Sequence, residues 1–302
     1  MGQWEVPGFL QEKLKSQYGK ELAGRILEGY RQERPVTLRA NLLKTDGASV
    51  QRQLDEAGIL CRQVPWSREA LVVTNAREEK LRKLKLYESG EIYLQSLSSM
   101  LPPLVLGPKA GESILDMAAA PGGKTTQMAA ITGNMASVTA CEKNRIRAER
   151  LQYNIDRQGA SRVCVMVADA RKLDDFFSFD KILLDAPCTG SGTLDVCRKD
   201  RKAHLDGDSL KRASKVQEEL LVKAMKHLKP GHEMVYSTCS ILAEENEQVV
   251  KRVLQRRGAK ILPIEEGQFP GVPLLPTELE GTMCVCPDGL YEGFFMARLQ
   301  KL

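Results

Sequence analysis

The chain has 302 residues, enough to bury one large core or a catalytic domain with a smaller appendage, and two units are expected. Lys and Arg number 44 against 39 Asp and Glu, a formal charge of +5, so the surface tolerates a polyanion without being built mainly to hold one. No apolar run approaches the roughly 20 residues of a membrane span, and MGQWEVPGFLQEKLK lacks the apolar stretch of a secretory signal, so a soluble protein of the reducing cytoplasm with no membrane partner is expected.

Residues 1–34 read as helical, with Leu10, Leu14, Leu22, Ile26 and Leu27 near helical spacing, until Pro35 interrupts. TLRANLLK then reads as a strand, GASVQRQLDEAG as a helix closed by Gly58, and ILCRQVP and ALVVTN as two more strands. A small α/β unit over residues 1–90 is expected, ending with a basic helix at 77–86, and a catalytic unit over 91–302. From SILDM onward the pattern alternates: a helix from Gly123, ASVTACE, the helix RIRAERLQYNIDRQG, VCVMVAD, FDKILLDAP, a long helix near 209–229, EMVYSTC and the helix EENEQVVKRVLQRR. That alternation predicts an α/β fold with a mostly parallel sheet covered on both faces, and GFFMARLQ reads as a last, antiparallel strand.

The first strand of this series runs into Asp116-Met-Ala118-Ala119-Ala120-Pro121-Gly122-Gly123-Lys124-Thr125, where small residues let the backbone approach a ligand and the next helix presents free amides. The stretch misses the G-x-G-x-x-G dinucleotide pattern and nearly meets the phosphate-loop pattern G-x-x-x-x-G-K-T, with Ala118 where the first glycine belongs. A phosphate-loop nucleotidase using Asp185 for magnesium is therefore the rival reading. S-adenosylmethionine is favoured over a triphosphate by the missing glycine, and by Glu142 and Asp169 at the ends of the next two strands, placed for ribose hydroxyls and an adenine amino group. Either acid could instead cap a helix.

Two cysteines complete the argument. Cys188 in LLDAPCTGSGT and Cys239 in YSTCS each follow a strand end, so parallel strands would aim both thiols, with Asp185, into the crevice at the carboxyl edge. Phosphoryl transfer has no use for such a pair, whereas methylation of a pyrimidine ring carbon needs a nucleophile to add to the ring first. Cys61, Cys141, Cys164 and Cys197 read as inert packing. Cys284 and Cys286, in C-x-C spacing, are not arranged with His204, His227 and His232 as a ligand set, so no metal is expected. Basic runs at 77–85, 143–150, 198–202, 211–215 and 251–257 fall mostly in helical patterns, where a solvated face is the default.

DMAAAPGGKT, LLDAPCTGSGT and YSTCS, with RAN (39–41), ENE (245–247) and GFFMARL, together resemble the signature blocks of the Rsm/Nop/Sun family of RNA cytosine-5 methyltransferases. The resemblance implies a class I methyltransferase (Rossmann-like) core, S-adenosylmethionine as donor, RNA as partner, and an N-terminal region partly like an RNA-recognition module. It makes Cys239 the covalent nucleophile, Cys188 the cysteine that helps release product, and Asp185 the group that holds the base. It assigns the backbone from Ala118 to Gly123, with Lys124, to the donor, Glu142 to its ribose, Arg147 to support of that site, Asp169 to its adenine and Pro187 to the turn that presents Cys188. Spacing alone does not choose between the thiols. The resemblance further implies ribosomal RNA ahead of transfer RNA, recognised in single-stranded or loop regions. A catalytically silent RNA-binding relative is the third reading, opposed by the presence of both cysteines and Asp185. VCPDGLYE replaces the basic or histidine-containing segment that many members carry before GFFMARL, and the chain ends just after that block. RNA selection is therefore expected from the first 90 residues and the basic helices, and a monomer is the simplest expectation.

Overall fold

The structure is a computed structural model that describes residues 6–196 and 205–302, apart from the side chain of Arg257. Cys197, His204 and the basic run 198–202 lie outside the described residues. Helix α1 (Gly8–Gly29) opens the chain, its helical run broken at Gly19 by a φ of 75°, a conformation that glycine adopts without strain. Strand β1 (Val36–Ala40), helix α2 (Gly47–Glu56), and strands β2 (Cys61–Val64) and β3 (Ser67–Val73) follow. Asp46 caps α2 by accepting the Ser49 N–H at 2.8 Å, a contact worth about 1 kcal/mol.

The expected basic helix at 77–86 is instead two short helices, α3 (Glu78–Arg82) and α4 (Lys85–Glu88), because Leu84 between them is extended. Strand β4 (Ile92–Leu94), hidden from the sequence reading by its three-residue length, pairs antiparallel with β1 and completes a four-stranded sheet in the order β2-β3-β1-β4. The expected boundary at residue 90 thus falls just before a strand of the smaller sheet.

Helix α5 (Leu97–Leu106) leads into the larger sheet, which begins with β5 (Ser113–Asp116), α6 (Gly123–Ile131), β6 (Ser137–Cys141), α7 (Arg145–Gln158) and β7 (Val163–Met166). It continues through β8 (Phe179–Asp185), α8 (Gly207–His227), β9 (Leu228–Thr238) and α9 (Glu247–Arg257). The last strands are β10 (Ala259–Leu262), β11 (Leu274–Leu275), β12 (Met283–Val285) and β13 (Phe294–Lys301). The order is β11-β12-β13-β9-β8-β5-β6-β7, with β10 also on β13; β7-β6-β5-β8-β9 are parallel and β13 runs antiparallel to β9, as its sequence predicts. β10, β11 and β12 were not foreseen, since two to four residues carry no readable alternation.

Packing assigns α1 to the larger sheet. Leu10, Leu14, Ile26 and Tyr30 are fully buried in one core with Leu221, Tyr236, Ile241 and Phe295, rather than with Leu38, Val50, Leu54 and Leu71 of the small sheet. The two units are also locked together by Arg39 of β1, 3% exposed, which donates to Thr126 Oγ1 at 2.7 Å and Gly123 O at 3.1 Å on α6 and to Gln95 Oε1 at 3.0 Å. Asn41 adds bonds to Gly90 O at 2.8 Å and Gln158 O at 2.7 Å. The RAN block thus positions the cofactor turn from behind. Burial lowers the Arg39 guanidinium to about 10, still fully charged at neutral pH.

Candidate active site

In the parallel sheet the chain passes from β5 outward to β6 on one side and returns to β8 on the other, which opens a crevice beyond the carboxyl ends of β5 and β8. Asp116 ends β5 and Asp185 ends β8, so both acids reach that crevice. A cavity of about 220 Å³ lies there, lined by Asp116, Ala118, Ala119, Ala120, Pro121, Gly123, Lys124 and Asp185. Tyr93, Leu94, Gln95, Ser96 and Ser99 complete its wall and were not among the expected residues. They come from β4, the two residues after it and the first turn of α5, and no sequence pattern announces that this stretch folds back over the turn.

The cavity suits a nucleoside-type ligand. Three successive alanines leave room on one side, and on the other a Cβ at Gly123 would come within 3.1 Å of the Tyr93 ring, which would have to give by a few tenths of an ångström. Asp116 is buried and accepts the Thr125 hydroxyl at 2.7 Å; burial raises its carboxyl to about 6, against the opposing pull of Thr125 and Lys124.

Lys124 turns the other way. Its Nζ lies 2.7 Å from Asp185 Oδ2 and donates to Ser99 Oγ at 2.7 Å. Burial alone would lower the ammonium, but the charge and hydrogen bond of Asp185 outweigh it and hold Lys124 above its ordinary value. Ser237 donates to Asp185 Oδ1 at 2.8 Å, so the carboxylate is fixed from both sides. The Lys124–Asp185 pair was not foreseen, because nothing in the sequence links two residues sixty positions apart.

The register of β8 on β9 pairs Asp185 with Ser237, which brings the loops that follow side by side and sets the Cys188 and Cys239 sulfurs 3.2 Å apart. Both are half-buried free thiols. Cys239 as hydrogen-bond partner, then burial and the charge of Glu245, push the Cys188 thiol well above its usual value. Gln217 on α8 donates to Pro187 O at 3.0 Å and so anchors the turn that presents Cys188. Gly192 donates its N–H to Cys239 O at 3.0 Å and accepts the Gly293 N–H at 2.8 Å. A Cβ on Gly192 would sit 2.1 Å from Gly293 O, so only glycine lets the cysteine loop meet the start of β13. Gly192→Val is expected to lower stability by at least about 2 kcal/mol and to disturb Cys239, read as an earlier urea midpoint and loss of activity together. A wild-type midpoint would remove this tether from the account.

The remaining predicted residues sit around the cavity rather than in its wall. Glu142, 3% exposed, accepts the Asn144 N–H at 2.8 Å and has Arg147 Nη1 at 3.5 Å from its other oxygen. Arg147 also donates to Ala120 O at 2.9 Å, tying the end of β6 to the alanine turn. Asp169 is held by the Arg171 guanidinium at 2.6 Å and accepts the Arg171 N–H at 3.0 Å; those hydrogen bonds lower it to about 2. Its cap role is thus realised. Gly122 and Pro187 shape the turns without lining the cavity. Of the other cysteines, Cys61 is half-buried, Cys141, Cys284 and Cys286 are buried, and Cys164 is exposed. No described helix is long and apolar enough to cross a membrane, and no described group of His, Cys, Asp and Glu is arranged to hold a metal ion.

Comparison with known proteins places this geometry. The chain is similar to the ribosomal RNA small subunit methyltransferase F of Shewanella loihica, with 36% identity over 88% of this chain and 56% of that protein. It is similar to the 25S rRNA (cytosine-C(5))-methyltransferase nop2 of Schizosaccharomyces pombe, with 35% identity over 90% of this chain and 44% of that protein. It therefore spans about half the length of these curated relatives. A solved methyltransferase homolog protein from Pyrococcus horikoshii superposes with a TM-score of 0.81 and 32% identity, covering 98% of this chain and 100% of that one. Residues 6–78 match the ferredoxin-like domain model of the RsmF/B-like methyltransferases, and residues 103–300 match the 16S rRNA methyltransferase RsmB/F model. The fold is class I and Rossmann-like with a smaller N-terminal sheet, and the chain belongs to the RsmB/F family of rRNA methyltransferases.

Proposed function

We propose that this protein transfers a methyl group from S-adenosylmethionine to carbon 5 of a cytosine in ribosomal RNA. The observation that carries this reading is the pair of sulfurs 3.2 Å apart on the loops that follow β8 and β9, together with an Asp185 at the end of β8 that is held by Lys124 and Ser237 in the wall of the cavity, which neither sulfur lines. The alanine turn and Gly123, with Tyr93, Gln95 and Ser99 opposite, would hold the donor; Glu142, steadied by Arg147, would meet its ribose and Asp169 its adenine. When bound, the donor supplies the electrophilic sulfonium methyl that carbon 5 of the activated ring takes.

Cys239 adds as thiolate to carbon 6 of an extruded cytosine, which makes carbon 5 enamine-like. Addition pushes electron density onto ring nitrogen 3, which takes a proton from water; Asp185 accepts a hydrogen bond from the N–H so formed, and its pairing with Lys124 keeps it in place before the base arrives. After methylation a base removes the proton from carbon 5, the bond from carbon 6 to sulfur breaks, and its electron pair returns to Cys239. Cys188 stands at hydrogen-bonding distance from that departing sulfur. Ribosomal RNA is favoured over transfer RNA by the ribosomal RNA substrates for which the two relatives are named. Phosphoryl transfer finds no such support, since it has no use for the paired sulfurs.

Two measurements decide the matter. Calorimetry is expected to show binding of S-adenosylhomocysteine and none of ATP with magnesium. Bisulfite mapping of total RNA with and without the protein is expected to reveal one or a few protected cytosines in ribosomal RNA. Selective triphosphate binding, or an unchanged map, would overturn the reading.

A further inference from the structure

Glu245 has no role in the mechanism above, yet it is the most completely enclosed charged group beside the cysteines, with 0% exposure. Its Oε1 accepts the Thr189 N–H at 2.8 Å and Gln217 Nε2 at 3.1 Å, and its Oε2 accepts the Thr189 hydroxyl at 2.6 Å. Tyr236 on β9 donates to its backbone oxygen at 2.5 Å. Neutral donors thus satisfy both oxygens, and among the described residues no Lys or Arg forms an ion pair with it. A buried carboxylate held this way keeps its field, which falls on the nearest ionisable neighbours. Those facing Cys188 are Cys239 across the 3.2 Å gap, Glu245 beneath the next residue, and Tyr236.

Across the gap, Lys124 on α6 interacts with Cys239, while its partner Asp185 spends one oxygen on Lys124 and the other on Ser237. We propose that Glu245 is a positioning residue for the release step: its buried carboxylate fixes the turn from Pro187 to Thr189 and keeps Cys188 as the S–H donor that faces the Cys239 sulfur across the 3.2 Å gap. This rests on the methyltransferase reading above and adds to it. A protonated Cys188 donates S–H to the Cys239 sulfur as it leaves, whereas a thiolate there would repel it.

Site-resolved alkylation by iodoacetamide, followed by mass spectrometry across pH, tests this without RNA. In a Cys239→Ala background, Glu245→Gln is expected to lower the midpoint for Cys188 by about one pH unit or more, and Glu245→Asp, which keeps the charge, to leave it near its starting value. Thr189→Val, which loosens the turn but leaves the carboxylate, is expected to keep the midpoint high, and it serves if Glu245→Gln does not fold. An unchanged midpoint in Glu245→Gln, or an equal fall in Glu245→Asp or Thr189→Val, would overturn the proposal, since looser packing alone would then account for it. With both cysteines present, Glu245→Gln is expected to slow release of the RNA adduct roughly tenfold. If the wild-type protein forms no adduct, the methyltransferase reading fails, while the alkylation result still judges the hold of Glu245 on the Cys188 proton.

Discussion

Cys239→Ala is expected to abolish methyl transfer, and Cys188→Ala to leave a protein–RNA adduct that survives denaturation. The two losses differ in kind because the sulfurs act at different steps. Without Cys239 nothing adds to carbon 6, carbon 5 stays unreactive, and turnover falls on the order of 10⁴-fold or more, as when other covalent nucleophiles are removed. Without Cys188 the addition and the methyl transfer proceed, but the departing sulfur loses its neighbour at 3.2 Å and the covalent complex accumulates. A denaturing gel with labelled RNA reads both outcomes: no shifted band for Cys239→Ala, a strong one for Cys188→Ala. The reverse pattern would exchange the roles, and no adduct in either would remove the covalent step altogether.

Asp185→Asn is expected to reduce kcat on the order of 10²–10³-fold with a small change in affinity for S-adenosylhomocysteine. The amide keeps the size of the carboxylate and can still accept from Ser237, so the fold has little reason to change. It can no longer pair ionically with Lys124 Nζ at 2.7 Å, nor accept as an anion the hydrogen bond of the ring N–H that forms when carbon 6 is attacked. The loss therefore falls on an interaction made only as the ring is activated, which lowers kcat rather than binding. Single-turnover methylation at saturating RNA checks this. Wild-type kcat in the variant would mean that Asp185 is a structural partner of Lys124 and does not act on the base.

Most of the architecture was legible in the chain. The alternation from SILDM to EMVYSTC predicts the parallel sheet, and GFFMARLQ predicts the antiparallel β13. Long elements with a regular apolar period declare themselves, because burial of one face imposes the period whatever the partner is. β4, β10, β11 and β12 escaped because two to four residues show no period, and the basic stretch 77–86 breaks at Leu84, where the composition gives no sign of a stop. The packing partner of α1 was also out of reach. Its apolar stripe shows that it packs on something, and only the three-dimensional arrangement shows that this is the larger core.

At the site, strand-end positions lead to the expectation that Asp116, Asp185, Cys188 and Cys239 gather at one edge, since a parallel sheet must deliver the ends of its strands there, and Lys124 follows at the start of α6. What faces what was not legible. The register of Asp185 on Ser237 sets the sulfur contact, the choice of Asp185 over Asp116 as ion-pair partner of Lys124 is a matter of side-chain direction, and Tyr93, Gln95 and Ser99 reach the cavity only because the small sheet folds back over the turn. A sequence determines which residue types stand at the ends of its strands, because hydrogen bonding and burial are local demands on each segment. Distances between groups separated by fifty or more positions depend on how the segments stack, and that is where the 3.2 Å meeting of two thiols is decided.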